Sequence, residues 1–222
     1  GVVDQVDEQL LDVVVVGDDE GILALVHVQL DVLVLGALVE HQADIARALA
    51  QAQTLGGYAD AAVFRPGFGE LELKQGLTTI VNGNCGLSVT PCRSTYQKEI
   101  RAYLTPITGA LPGDKDFSSL EAYLKAAEEE PRRINTAMLT GSGTIRACAA
   151  GFGVPELDRA QLGMVHKLLE QELAAGAMGV SLGLGYAPDC FYSTSELIEA
   201  LRPLSGGDVP VTVHMRQEGA GV

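Results

Sequence analysis

The chain has 222 residues, of which 47% are apolar and 26 are glycine. This length is sufficient to bury a core, and the glycine content together with alternating segments favours an α/β protein over a helical bundle. The formal net charge of −14 argues against nucleic acid and anionic membranes as partners, because both would repel the chain at physiological salt.

The cysteine pattern favours a reduced protein. Cys85, Cys92, Cys148 and Cys190 show no C-x-x-C spacing, which argues against a structural zinc knuckle or a disulfide-stapled secreted scaffold. The start of the chain lacks the basic stretch of a signal peptide, and the longest apolar run, at residues 32–39, is about a third of a membrane span. We therefore expect a cytoplasmic location and no membrane partner.

Residues 1–68 differ from the rest in composition. Positions 1–46 hold ten acidic residues and no Lys or Arg. The apolar pattern fits strands at residues 13–16 and 22–28 and a helix at 42–53. The Asp and Val bias is unusual for a coding sequence. Residues 1–68 are therefore predicted to be a separate acidic, Val-rich segment, and a mistranslated reading frame is one explanation of its composition.

From about residue 70 onward, strands alternate with capped amphipathic helices. The apolar runs that predict strands lie at residues 77–81, 134–139, 177–182 and 209–213. A Ser or Asp with a Glu or Gln three residues later indicates helix starts at Ser118, Asp158 and Ser193. Polar or glycine-rich residues follow each strand, which is typical of a parallel β/α fold with its sites at the carboxyl ends of the strands.

A (β/α)8 barrel fits this pattern better than a dinucleotide-binding sheet, because no G-x-G-x-x-G follows an early strand. The four predicted strands account for about half of such a barrel. The predicted fold class is therefore α/β, a partial (β/α)8 barrel truncated at both ends.

Four sequence blocks resemble those of a known family. Residues 72–88, which include Gly83-Asn84-Cys85-Gly86, closely resemble the K/R-Q-G-x-T-T-x-x-x-G-N-C-G-x-S stretch of the N-acyl-D-amino-acid deacylases, or D-aminoacylases. The family's N-x-A-x-L-x-G-x-G-x-x-R, A-G-A-x-G-x-S-x-G-L-x-Y-x-P and H-M-R-x-E-G blocks are matched in order by residues 135–146, 175–188 and 214–219. By this resemblance, residues 69–222 are identified as a partial barrel of the amidohydrolase superfamily.

The resemblance implies a zinc-dependent hydrolase that acts on the amide bond of N-acyl-D-amino acids, which are small-molecule substrates. In the family, a cysteine after an early strand and a histidine on a middle strand hold the zinc, and the matching positions are Cys85 and His214. Thiolate and imidazole both suit Zn²⁺. A bound ion lowers the pKa of water towards about 7 and polarises the amide carbonyl. On residue type alone, Cys85 is more often a small buried apolar residue, and a core histidine is the alternative for His214.

Two further positions are candidates for substrate binding. By similarity, Tyr186 would lie near the substrate and donate to the developing oxyanion; the alternative is a ring that simply caps the core. Arg146 could clamp a substrate carboxylate with two hydrogen bonds, and a solvated helix start is the alternative there.

The other metal ligands of the family pattern are missing. Its H-x-H on the first strand is absent, and residues 65–68 offer only a faint echo of the P-G-F-x-D that precedes it. The later histidine and the catalytic aspartate would lie beyond Val222. Because a catalytic zinc site uses about three protein ligands and a water, we expect this chain alone to be inactive. The alternatives are an amidohydrolase acting on cyclic amides or ureido compounds, and a non-catalytic, metal-free remnant.

Overall fold

The computed structural model describes residues 10–16, 23–29, 59–217 and 219. The strands are β1 (Leu10–Val16), β2 (Leu23–Gln29), β3 (Thr79–Asn82), β4 (Asn135–Gly141), β5 (Gly179–Gly183) and β6 (Pro210–His214). The α-helices are α1 (Glu70–Lys74), α2 (Gln97–Thr108), α3 (Leu120–Glu128), α4 (Ser142–Ala150), α5 (Arg159–Ala174) and α6 (Thr194–Ala200). The helix predicted at residues 42–53 lies outside the described residues.

The strands form one sheet in the order β2-β1-β6-β5-β4-β3. The four strands from β3 to β6 are parallel to one another, and helices lie between them in the chain. Parallel neighbours joined in sequence through helices are the repeating unit of a (β/α)8 barrel. The predicted α/β class and partial-barrel arrangement are therefore confirmed.

Two N-terminal strands extend this sheet in the opposite sense. β1 pairs antiparallel with both β2 and β6, which confirms the strands predicted at residues 13–16 and 22–28. Residues 17–22 are the whole connection between β1 and β2. A connection that short permits an antiparallel pair and not a parallel crossover. The antiparallel join to β6 is a feature that the barrel pattern did not predict.

Local capping signals mark the starts of three helices. The Ser119 hydroxyl caps α3, one residue later than the predicted Ser118. Asp158 and Gln161 form the predicted capping box of α5, and Ser193 caps α6. The longest described helix, α5, has 16 residues, and no described helix is long and apolar enough to cross a membrane.

The main core lies between the sheet and its helices. Ile80 of β3 and Leu168 of α5 are among its buried members. A second, smaller cluster contains Val81 and Leu139, and it lies on the other face of the sheet because successive strand residues point to opposite faces. Both faces of β3 and β4 are therefore covered, as is usual for parallel strands.

Residues 59–68 pack into this same main core. Val63 and Phe68 are buried members of it. The Tyr123 hydroxyl of α3 donates a hydrogen bond to the backbone carbonyl oxygen of Asp60, at 3.1 Å. This end of the segment predicted at residues 1–68 thus shares the core of the barrel, and a division at residue 68 stays a prediction.

Candidate metal and substrate site

The turn after β3 presents Cys85 in a left-handed backbone conformation. Cys85 has a φ of 57°, between Gly83 at 76° and Gly86 at 71°. Such a conformation is uncommon for a residue with a side chain and is held only where the surroundings impose it. A Cβ atom at Gly83 would overlap the carbonyl oxygen of Leu139, and one at Gly86 would overlap the amide nitrogen of Gly183. Glycine therefore lets the turn lie directly against β4 and β5.

Hydrogen bonds from four backbone amides hold this turn, which we call the Cys85 turn (residues 83–89). The Gly83 and Val89 amides donate to the two carboxyl oxygens of Asp60, each at 3.2 Å. The Gly86 amide donates to the Ser181 hydroxyl of β5 at 2.9 Å. The fourth bond joins the Ser88 amide to the Thr144 hydroxyl of α4 at 3.0 Å. All the acceptors are buried, so the turn is held by side chains of the protein interior.

Tyr186 joins the Cys85 turn to the end of β6. Its hydroxyl donates to the backbone carbonyl oxygen of Cys85. Its ring lies edge-on to the His214 imidazole, with 5.1 Å between ring centroids. His214 is the last residue of β6 and pairs in register with Gly183 of β5. Cys85, Tyr186 and His214, which we call the strand-end cluster, are therefore gathered at the carboxyl ends of parallel strands, and all three are half-buried.

The donor chemistry of this cluster fits zinc in kind but is incomplete in number. Thiolate sulfur and imidazole nitrogen are ligands that zinc prefers. Among the residues that the structure describes, no group of three or more His, Cys, Asp or Glu side chains could hold a metal ion. Cys85 and His214 can thus supply two donors of a shell that needs about three from protein. Their role as ligands stays a prediction.

Arg146, the other substrate candidate, lies inside the helical layer. Its side chain is 0% exposed, which makes the alternative of a solvated helix start wrong. The guanidinium donates to the backbone carbonyls of Val154 at 2.9 Å and Pro155 at 3.2 Å, and it lies 4.8 Å from the Tyr192 ring centroid. These contacts support a structural role, and substrate binding by Arg146 stays a prediction.

Two buried carboxyl groups near the cluster were not predicted. Asp189 accepts hydrogen bonds from the Gly183 amide at 2.9 Å and from the Ser142 hydroxyl at 3.1 Å. Burial raises the pKa of Asp189 to about 6 and that of Asp60 to about 7. Asp60 stands in the small apolar run at residues 59–63. An acidic residue within a run of small apolar residues is the feature of the sequence that could have indicated burial of the Asp60 side chain.

Similarity to known proteins extends over two thirds of the chain. No protein-family model matches it. The chain is 34% identical over 152 residues to D-aminoacylase of Alcaligenes xylosoxydans xylosoxydans, a match that covers 67% of this chain and 30% of the relative. It is 33% identical over 152 residues to N-acyl-D-aspartate deacylase of the same organism, covering 66% of this chain and 29% of that relative. The chain thus spans about 30% of the length of these relatives.

A solved structure has the same architecture over a similar part of the chain. It is N-acyl-D-glutamate deacylase of Bordetella bronchiseptica, in complex with zinc and a phosphonate inhibitor that mimics the tetrahedral intermediate of the reaction. The two match with a TM-score of 0.60 and 28% identity, covering 75% of this chain and 34% of that chain. Over the residues matched, this chain belongs to the N-acyl-D-amino-acid deacylase family of the amidohydrolase superfamily.

Proposed function

We propose that this chain supplies part of the active site of a zinc-dependent hydrolase that cleaves N-acyl-D-amino acids to a carboxylate and a free D-amino acid. The observation that carries the proposal is the contact of Tyr186 with both ligand candidates, Cys85 and His214. Sites of parallel β/α barrels lie at the carboxyl ends of the strands, where this cluster lies.

Each member of the strand-end cluster has a distinct task in this proposal. Cys85 and His214 would hold the ion, which when bound would supply a water of lowered pKa and polarise the amide carbonyl. The edge-on ring of Tyr186 restricts the orientation of the His214 imidazole, in the way that outer groups orient metal ligands. A tyrosine hydroxyl has one proton to donate. For Tyr186 to donate to the oxyanion, its hydroxyl must therefore leave the Cys85 carbonyl when substrate binds.

The relatives indicate the class of substrate. Their names specify D-amino acids with different side chains, including aspartate and glutamate, and we therefore propose small N-acyl-D-amino acids as the class of substrate. The acidic charge of the chain supports a small molecule over nucleic acid as the partner. A cytoplasmic location is part of the same proposal and is supported by the few cysteines.

A non-catalytic remnant is the second candidate function. It is favoured by the absence, among the described residues, of a group of three or more metal-binding side chains. If this candidate is right, the cluster binds zinc weakly or not at all. The chain alone is expected to be inactive under both proposals, because two donors fall short of a catalytic shell.

Zinc binding by the purified chain, measured by isothermal titration calorimetry, separates the two candidates. We expect weak binding by the unchanged chain and at least about tenfold weaker binding by Cys85→Ser and His214→Ala, on the scale that even outer groups of a zinc site reach. His166→Ala is the matched control, because the His166 ring lies on α5 against the Glu199 carbonyl oxygen. No zinc binding, or equal losses in all three variants, would favour the remnant.

Turnover distinguishes the remaining alternatives. The zinc-loaded chain is incubated with neutral and acidic N-acetyl-D-amino acids and with hydantoin, and released amine or ring-opened product is measured. We expect no turnover by this chain. Release of D-amino acid would show that the chain needs no further ligand, and turnover of hydantoin would favour an enzyme for cyclic amides.

A further inference from the structure

Asp60 is placed to hold both ends of the Cys85 turn. One carboxyl oxygen accepts the amide proton of Gly83 and the other accepts that of Val89, each at 3.2 Å. Gly83 lies two residues before Cys85 and Val89 lies four residues after it. A single side chain therefore closes the turn, and no other residue among those described accepts amide hydrogen bonds from both of its ends.

The surroundings of Asp60 are packed and apolar. The residue is 0% exposed, as is Tyr123, whose hydroxyl donates to the Asp60 backbone carbonyl at 3.1 Å. Burial is the largest influence on the pKa of Asp60 and raises it, while the hydrogen bonds from Gly83 and Val89 lower it. A buried acid costs free energy unless its oxygens are hydrogen-bonded. The hydrogen bonds from the Gly83 and Val89 amides offset part of this cost for Asp60.

The conformation of Cys85 depends on such a closure. Its left-handed backbone, with φ of 57°, persists only where neighbouring contacts impose it. The Gly86 and Ser88 amides are bonded to neutral hydroxyl groups of Ser181 and Thr144. Above about pH 7 Asp60 is ionised, and hydrogen bonds to an ionised carboxylate are roughly twice as strong as those between neutral groups. Loss of the Asp60 carboxyl would therefore loosen the turn more than loss of either hydroxyl.

We propose that Asp60 is a positioning residue that fixes the Cys85 turn, and through it the direction in which the Cys85 thiol faces a metal ion. The second part rests on the proposed function of Cys85 as a ligand. Groups that orient metal ligands without touching the metal typically change metal affinity by about 10–100-fold when removed.

The test compares Asp60→Asn with Glu172→Gln. The asparagine amide keeps one acceptor and turns its NH2 group towards an amide that needs an acceptor. Glu172 is a matched control, because it is also 0% exposed and accepts from the Thr90 hydroxyl and the Leu120 amide at the start of α3. Both changes remove a buried carboxylate, and only one of these carboxylates accepts from the Cys85 turn.

Two measurements, amide hydrogen exchange and Co²⁺ titration, compare the variants. Hydrogen exchange of the metal-free chain reports the Gly83 and Val89 amides, and both are expected to exchange faster in Asp60→Asn and to keep their rates in Glu172→Gln. Titration with Co²⁺ reports metal binding through the thiolate-to-cobalt absorption band, and its Kd is expected to rise about tenfold in Asp60→Asn. In Glu172→Gln, the Co²⁺ affinity is expected to stay unchanged.

The outcomes separate failure of this inference from failure of the proposed function. Unchanged exchange and unchanged Co²⁺ affinity in Asp60→Asn would overturn the positioning role, as would equal changes in both variants. An absorption band that is missing in the unchanged chain, or that survives Cys85→Ser, would overturn the ligand role of Cys85, while the exchange rates would still decide whether Asp60 holds the turn. If Asp60→Asn does not fold, Asp60→Ser replaces it, because serine keeps one hydroxyl acceptor in less space.

Discussion

The strand-end cluster and two buried charged residues, Asp60 and Arg146, differ in exposure to solvent. Cys85, Tyr186 and His214 are each half-buried, whereas Asp60 and Arg146 are 0% exposed. Both sets are polar. The first lies at the carboxyl ends of parallel strands, whereas Asp60 contacts the turn after β3 and Arg146 lies within α4. The difference indicates a division of tasks, because a ligand or substrate can reach only the half-buried set. Within the buried set, Asp60 accepts from two amides of the Cys85 turn, whereas Arg146 donates to the backbone carbonyls of Val154 and Pro155.

The largest loss of unfolding free energy is expected for Gly83→Ala in the Cys85 turn. Comparison with Gly76→Ala separates the cost of steric overlap from that of backbone strain. Gly83→Ala places a Cβ against the Leu139 carbonyl, while Gly76→Ala, at a similar φ of 83°, meets no atom within 4 Å. Left-handed backbone alone costs roughly 1–2 kcal/mol for a residue with a Cβ. We expect Gly76→Ala to lose about that much unfolding free energy and Gly83→Ala to lose clearly more, measured by urea unfolding. Equal losses would show that the turn does not lie against β4.

Removal of the buried arginine is expected to have the next largest effect. Arg146→Met leaves the Val154 and Pro155 carbonyls without their donor and removes the charge beside Tyr192. We expect a loss of about 3 kcal/mol in unfolding free energy, typical of breaking a buried charged network. Arg202→Met is the control, because Arg202 is exposed and pairs with Glu199. A small effect of Arg146→Met would return this residue to the substrate-binding candidates.

The pH dependence of stability is expected to distinguish Asp60 from its asparagine variant. The pKa of Asp60 rises from 3.8 to about 7 on folding, so between these values the unfolded chain loses a proton that the folded chain keeps. The contribution of Asp60 to stability is therefore greatest below pH 3.8, falls as pH rises towards 7, and is constant above it. Urea unfolding at pH 5 and pH 8 should show a drop that is about 2 kcal/mol smaller in Asp60→Asn. The same drop in both proteins would contradict an uncharged Asp60 at pH 5.

The smallest effect on stability is expected within the strand-end cluster. Tyr186→Phe removes one hydrogen bond, to the half-buried Cys85, and should cost about 1 kcal/mol or less in unfolding free energy. A loss as large as that of Arg146→Met would mean that Tyr186 belongs to the structural set. Urea unfolding of the two variants side by side provides the comparison.

Local signals explain which parts of this fold were predictable. The four parallel strands and the caps at Asp158 and Ser193 follow from apolar runs and side-chain acceptors that act over a few residues. Three helices were not predicted. α4 begins with Ser-Gly-Thr after Gly141, which are turn-forming residues, α2 contains Pro106, and α1 is only five residues long.

The site was predictable only where sequence blocks carried the information. The blocks singled out Cys85, Tyr186 and His214, which the structure brings together. Two contacts of the buried residues Asp60 and Arg146 join residues distant in the chain: Val89 donates to Asp60, and the Tyr192 ring lies beside Arg146. No pattern within a few residues encodes such contacts, so their structural roles required coordinates.

The proposed function depends most on one cation that binds both Cys85 and His214. X-ray absorption spectroscopy of the zinc-loaded chain tests this directly, with Cys85→Ser as the comparison. We expect one sulfur at about 2.3 Å and at least one imidazole nitrogen at about 2.0 Å from zinc, with the sulfur lost in the variant and the nitrogen lost in His214→Ala. A zinc ion surrounded only by oxygen and nitrogen in the unchanged chain, or a sulfur signal that survives Cys85→Ser, would contradict the ligand role of Cys85 and with it the proposed function.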